Sequence, residues 1–382
     1  MIDRELVTRV RHDVAAGIPP DELLRSYLDP ARRRLLRERV RSVAGTLLDE
    51  RSTDAICADL FGFGPLQALL DDDEVTDILV NGPDAVFVER RGRIERTDAR
   101  FRDEQDLADL VYRIAASVGR ELTIERPFVD ARLRDGSRAN AVVAPVGGPT
   151  LSVRKFRSLS LPLRGRAPSW VSGSGMPDAC ADLLERCVRA RADVLVTGAT
   201  GSGKSTLLRS LAAAIPEDER LIVIEDTNEL VLPHPHVVHL ECVPERDGTG
   251  VGVADLVANA LRMRPDRIIV GEVRTPREAS ALLEALSTGH EGSLTSIHAG
   301  SASDAVARLE LLLARTGELS AESARRHVAR AIDVIVHLVR DAGGRRVVRE
   351  IAALDGEAIV EVWRAGMPEP LALPERLGVT VS

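Results

Sequence analysis

The segment Gly198, Ala199, Thr200, Gly201, Ser202, Gly203, Lys204, Ser205 and Thr206 constrains this chain most, because it joins the apolar run 194–196 to the helix-forming run 207–214. A strand that turns through glycines into a helix aims successive backbone N–H groups, and the positive end of the helix dipole, at one chain of phosphates. The segment is therefore expected to bind ATP, with Lys204 between the β- and γ-phosphates and the Ser205 hydroxyl on Mg2+. The chain carries 51 lysines and arginines, of which only Lys155 and Lys204 are lysine. Arginine serves almost everywhere else, so a lysine here answers a need for a compact point charge that a planar guanidinium does not meet.

At 382 residues the chain is long enough for two or three domains, each with its own core. A formal net charge of -8 argues against a main role in holding nucleic acid, and direct nucleic-acid contact is not expected. Aromatic residues make up 3% of the chain, which leaves few platforms for stacking single-stranded bases. No apolar run reaches the length of a membrane span, and the opening Met-Ile-Asp-Arg-Glu has no signal-peptide pattern. The expected location is cytoplasmic, with any membrane association supplied by a partner. Cys57, Cys180, Cys187 and Cys242 lack metal-ligand spacing, and Cys180 and Cys187 read as small core residues.

Five regions are expected. Residues 1–52 read as charged helices, broken at 18–20 and again at Asp29-Pro30, with Arg32, Arg33 and Arg34 on a solvated face or against an acidic surface. Residues 53–161 read as a small α/β domain of PAS-like type, with strands at Val75–Val80, 85–90, Arg93–Arg96, 129–133, 139–144 and 151–156 and a helix at 107–118. Prolines, glycines and serines crowd 162–177, which reads as a linker and hinge. Residues 178–360 alternate strands with helices, as a RecA-like P-loop NTPase core with a mainly parallel sheet requires. Residues 361–382 read as a flexible tail.

Two apolar strands of this core end in acid: Glu225 follows 221–224, and Glu272 follows 268–271. Glu272, taken to end the more distal strand, reads as the Mg2+-side or water-polarising residue. Glu225 reads as the general base, with an additional strand before Glu272's strand leaving room for an attacking water; the two roles are interchangeable at this level. Glu229 is either a third acid toward the nucleotide or a helix-start charge. His290 lies in a glycine-rich turn and His298 at a strand end, and a histidine near a γ-phosphate can report its presence through one hydrogen bond. A purely structural role is the plain alternative for each, and zinc is not expected without further ligands. Arg132, Arg134, Arg138, Arg154, Lys155 and Arg157 crowd the end of the small domain, with Asp135 the only acid among them. They form a solvated face, a nucleic-acid patch, or a set of cations that the small domain folds over a triphosphate, its own or a neighbour's. Arg267 and Arg274, beside Glu272, are further phosphate or subunit-contact candidates.

With these motifs in order, the sequence resembles the type II/type IV secretion motor ATPase superfamily, and most closely the branch that powers tight-adherence (Flp) pilus assembly. The phosphate loop matches its Walker A box, 221–230 its aspartate box, 261–274 its atypical Walker B box and 288–299 its histidine box. Residues 60–66, 75–82 and 129–138 resemble its N-terminal domain. The resemblance implies a Mg-dependent ATPase working as a ring of six, with nucleotide between the two domains. It also implies catalytic glutamates at Glu225 and Glu272, N-domain arginines at Arg132 and Arg138, and docking on an inner-membrane platform protein. Thr275-Pro-Arg277, Glu291 and Gly300 depart from the usual pattern and leave the acids and histidines in place. Two alternatives stand beside a pilus or secretion motor: a conjugation or DNA-uptake motor, and a non-catalytic nucleotide-gated scaffold.

Overall fold

A computed structural model describes residues 13–14, 24, 26–44, 50–90, 92–133, 135–156, 161–165, 168–232, 234–246 and 249–379. The chain divides into two units, 1–157 and 158–382. The expected break at 18–20, the turn residue Arg91, and Arg134 and Arg157 lie outside the described residues.

In the first unit, helices α1 (Pro30–Ala44) and α2 (Glu50–Phe61) share a small core of Tyr27, Leu36, Val40, Ile56 and Phe61. Of the Arg32–Arg34 cluster, Arg33 lies over the Tyr27 ring, 4.5 Å from its centroid. A short helix α3 (Gln67–Asp71) leads into strands β1 (Val75–Val80), β2 (Val86–Arg90) and β3 (Arg93–Arg96). Helix α4 (Glu104–Ser117) follows, then β4 (Phe128–Arg132), β5 (Arg138–Val142) and β6 (Thr150–Arg154). The sheet is antiparallel in the order β3-β2-β1-β6-β5-β4. Every second residue of β4, β5 and β6 is buried, the period expected of a sheet covered on one face. The cover is α4, capped by Asp103 and turned inward through Leu107, Leu110, Val111 and Ile114. Lys155 serves structure here: its Nζ donates to the Asp72 carbonyl at 2.7 Å and the Leu69 carbonyl at 3.5 Å, closing the end of α3.

In the second unit, helix α5 (Asp178–Arg189) precedes β7 (Val194–Gly198), helix α6 (Lys204–Ala212), β8 (Leu221–Glu225) and β9 (Val237–Glu241). A small hairpin of β10 (Val243–Arg246) and β11 (Thr249–Val251) follows. Next come α7 (Val253–Ala260), β12 (Arg267–Val273), α8 (Pro276–Leu286), β13 (Leu294–Ile297), α9 (Ala302–Ala314) and α10 (Ala321–Ala331). Strands β14 (Val334–Arg340), β15 (Arg346–Asp355) and β16 (Ala358–Arg364) close the unit. The main sheet runs β16-β15-β14-β7-β13-β12-β8-β9, parallel from β14 to β9 and antiparallel across β14, β15 and β16. Strands β7, β8 and β13 are buried throughout, because helices cover both faces. Val194 and Val196 enter one hydrophobic cluster, while Leu195 between them enters the other. Cys180 and Cys187 are buried on the inner face of α5, and burial pushes both thiols up to about 12.

Two expectations fail for one reason, the burial of large side chains. Of the expected linker 162–177, the described residues 162–165 and 168–177 are not free: Leu163, Trp170 and Met176 join the core of the second unit, and Trp170 Nε1 donates to Ser210 Oγ on α6 at 2.9 Å. An indole that buries its rings and also satisfies its N–H holds the segment down. The stretch 361–379 is likewise pinned. Strand β16 runs to Arg364, Leu373 is buried, and Arg376 donates to the Leu354 carbonyl and pairs with Asp333 at 2.8 Å.

Near that pair, Asp193 is 5% exposed and accepts the Ser293 N–H at 2.8 Å. Burial, with repulsion from Asp333 and Glu291, pushes its carboxyl up to about 8. The folded chain therefore keeps this proton across a window from 3.8 to about 8 in which the unfolded chain has released it. Stability should fall as pH rises through that window. Asp193→Asn is expected to flatten the decline in a thermal-unfolding series over pH, and parallel curves for the two proteins would refute it.

Candidate nucleotide site

Strand β7 stops at Gly198 and α6 starts at Lys204, so the glycine loop spans the carboxyl edge of the parallel sheet. Gly201 and Gly203 hold φ of 72° and 106°, a region that side chains resist. At Gly198 a Cβ would sit 2.5 Å from the Leu338 carbonyl, and at Gly203 it would sit 2.9 Å from Arg346 Cδ. Gly203, the residue before the first turn of α6, has no side chain to cap it, so among the described residues the leading N–H groups are left to a ligand. Ser202 Oγ is buried against Gly198 with no hydrogen-bond partner among the described residues. This backbone cradle fits a phosphate chain.

Lys204, 9% exposed, has its Nζ 3.1 Å from the Gly198 carbonyl, 3.2 Å from His298 Nδ1 and 3.5 Å from Glu272 Oε1. His298 Nε2 is 2.9 Å from that same Glu272 oxygen. Lysine can only donate, so Nδ1 accepts and the ring proton sits on Nε2, where it is donated to Glu272. Burial and the neighbouring ammonium hold His298 below its usual pKa, which agrees with a neutral ring. Burial also lowers the pKa of Lys204, opposed by Glu272. Arg274 Nε donates to the other Glu272 oxygen at 2.6 Å and also binds Asp226. The register explains the convergence: Thr197 pairs with Ile297 and Ile297 with Val273, so Gly198 and His298 lie one residue beyond that level and Glu272 one residue before it, beside a register shift between Val270 and Val273.

Glu272 does not end the more distal strand. Only β13 separates its strand from β7, and Glu225 lies one strand farther out on β8. The extra strand exists, but it carries His298 to the loop. Glu225 is 6% exposed, and its carboxylate accepts the N–H groups of Glu229 at 3.0 Å and Leu230 at 3.0 and 3.1 Å. Burial pushes it up to about 7. Its oxygens are turned into the loop after β8, which Arg209 of α6 also ties down through the Glu229 carbonyl. Glu229 starts no helix; it belongs to that loop.

Two other candidates lie at the opposite edge. Arg267 begins β12, is 0% exposed, and is clamped by Glu219 at 2.7 and 2.8 Å and by the Val188 carbonyl at 2.6 Å. A guanidinium so enclosed ties elements together and is closed off from a phosphate of its own subunit. His290 precedes β13, and its Nδ1 is 3.2 Å from the Ala285 carbonyl at the end of α8. A four-residue parallel strand, about 13 Å of rise, separates its edge from the phosphate loop, which excludes contact with the loop of the same subunit.

In the first unit, Arg132, Arg138 and Arg154 are successive cross-strand partners on β4, β5 and β6, and Arg154 pairs with Asp77 at 3.0 Å. Asp135 fixes the intervening turn by accepting the N–H and hydroxyl of Ser137. Sequence reasoning missed Arg340, whose Nε donates to the Gly201 carbonyl at 2.8 Å, and Trp170 beside Gly203. No local signal marks Arg340, because 139 residues separate it from Gly201.

Residues 59–364 match the family described as type II/IV secretion system protein. The chain belongs to this family. A Mycobacterium tuberculosis relative named provisionally for conjugal transfer is 40% identical over 332 residues, covering 82% of this chain and 92% of that protein. The VirB11 protein of a Brucella suis type IV secretion system is 32% identical, covering 78% of this chain and 91% of its own. Among solved structures, the Legionella pneumophila ATPase DotB is 25% identical with a TM-score of 0.56, covering 78% of this chain and 82% of its own. Membership implies ATP-dependent ATPase activity with ATP and Mg2+, on a mixed α/β P-loop-ATPase architecture. Nothing in these likenesses singles out the tight-adherence branch. Among the described residues, no helix is long and apolar enough to cross a membrane, and no group of three or more His, Cys, Asp or Glu forms a metal cage. Mg2+ needs no such cage, since it keeps waters and phosphate oxygens among its ligands.

Proposed function

We propose that the chain is the motor ATPase of a conjugation or type IV secretion machine. It works as a homohexameric ring docked on the cytoplasmic face of an inner-membrane platform protein. The convergence of Lys204, His298 and Glu272 beside the phosphate loop carries this reading. The names of the relatives favour a conjugation or secretion machine over tight-adherence pilus assembly, and direct contact with nucleic acid is not required of it. The core is RecA-like and the small unit PAS-like.

In this reading Gly201, Ser202, Gly203, Lys204, Ser205 and Thr206 cradle the phosphates, while Ser205 Oγ and Glu272 hold Mg2+, directly or through water. The ion supplies neutralisation of charge on the β- and γ-phosphate oxygens. Glu272 polarises the attacking water, His298 carries the state of the γ-phosphate to Glu272, and Glu225 organises the loop after its strand. A passive scaffold has no use for an acid held by three donors at the phosphate loop.

Arg132 and Arg138 are assigned to the developing phosphoryl charge, in the same subunit or the next. Arg132→Ala and Arg138→Ala are each expected to lower turnover about tenfold with nucleotide binding intact. Titrating each variant into wild-type rings separates action in cis from action in trans. Unchanged turnover in both would leave these residues a solvated face, and full activity from a strict monomer would remove the ring. Recovery of the complex from its native cell, with identification of the bound membrane protein, decides between secretion, conjugation and pilus machines.

A further inference from the structure

The hairpin of β14 and β15 stands on the outer side of the phosphate loop. Leu338 of β14 pairs with Gly198 of β7, and Arg340 pairs with Arg346 across the mouth of the hairpin. Arg340 Nε donates to the Gly201 carbonyl at 2.8 Å, and its Nη2 is 3.0 Å from where a Cβ on Gly201 would stand. Arg346 Cδ and Trp170 Cη2 lie 2.9 and 3.4 Å from the corresponding point on Gly203. An anion cradle works only if its N–H groups face inward; the Gly198 and Ala199 carbonyls meet Lys204 Nζ within the loop, and the Gly201 carbonyl faces outward to a donor there. The peptide between Gly201 and Ser202 is held at both ends: its carbonyl by Arg340, its N–H by the Ala199 carbonyl at 3.2 Å. Holding that peptide sets the direction of the N–H groups on either side of it.

We propose that Arg340 is a positioning residue for nucleotide binding, whose Nε–H keeps the Gly201 carbonyl turned out of the phosphate cradle. The proposal rests on the loop binding ATP. Because the cradle grips bound ATP and the transition state alike, loss of Arg340 acts on affinity more than on turnover. Side-chain lengths supply the test. Glutamine places an uncharged N–H donor at the chain position of arginine Nε, whereas lysine places a methylene there and keeps the charge. In the full chain, Arg340→Ala and Arg340→Lys are expected to raise the KM for Mg·ATP and the Kd for ADP about tenfold, with kcat within about twofold. Arg340→Gln should restore most of the affinity, and added salt should leave the order of the variants unchanged. Rescue by lysine and not glutamine, erased by salt, would replace positioning with plain charge attraction. Wild-type affinity in all three variants would overturn the proposal while leaving the ATPase reading intact. A wild-type chain that binds neither ADP nor ATP, or that binds ATP without hydrolysing it, would overturn that reading.

Discussion

Replacing Glu272 by glutamine is expected to slow ATP hydrolysis about a hundredfold, roughly 3 kcal/mol of transition-state stabilisation, with Mg·ATP affinity changed only a few-fold. The carboxylate accepts from His298 at 2.9 Å and Arg274 at 2.6 Å and lies 3.5 Å from Lys204. An amide keeps the shape and loses the charge, and its NH2 must face a group that also donates. Hydrolysis suffers more than binding, because the charge matters most while the phosphoryl group is being transferred. Single-turnover rates and nucleotide affinity should be measured together, with Glu225→Gln beside it. Equal turnover in wild type and Glu272→Gln at saturating Mg·ATP would remove Glu272 from the chemistry. A large loss confined to Glu225→Gln would return the base to the outer strand.

Lys204→Ala is expected to lower kcat/KM on the order of a thousandfold, about 4 kcal/mol. Its Nζ already lies among the carbonyls of Gly198 and Ala199, within 3.4 Å of both, so the ammonium stands inside the turn of the loop. Truncation removes the charge toward the phosphates and leaves Glu272 without its lysine partner. Lys204→Arg should not rescue, since a planar fork does not fit a position 9% exposed and flanked by His298. Full activity of the arginine variant would refute the argument from a compact point charge. Intact circular dichroism with lost nucleotide binding is the expected pattern for both variants.

What the sequence disclosed about this site was whatever one strand and its following loop determine. The glycine loop, the acids closing two apolar strands and His298 could each be read from a local run, because a strand end, a turn and a helix start leave their marks within a dozen residues. Strand order leaves no such mark. Nothing within 267–273 tells that β12 lies between β7 and β8, and that order brings Glu272 nearer the loop than Glu225. Arg267 shows the same limit, because its glutamate partner lies 48 residues away and turns an apparent phosphate ligand into a buried clamp. The proline- and glycine-rich segment before α5 misled in the opposite sense. Its composition argues for looseness, and one tryptophan reaching Ser210 outweighs it.

The placement of the two lysines bears on how the cell can modify this protein. Lys155 spends its ammonium on backbone carbonyls at the end of α3, and Lys204 is enclosed by its own phosphate loop. Every other side-chain cation in the 51 is arginine, which holds its proton at any physiological pH and is no substrate for lysine acetylation or ubiquitin attachment. Side-chain acylation can therefore reach only two of these 51 charges, and a reagent or enzyme that acylates either amine must displace a structural cap or disarm the phosphate loop.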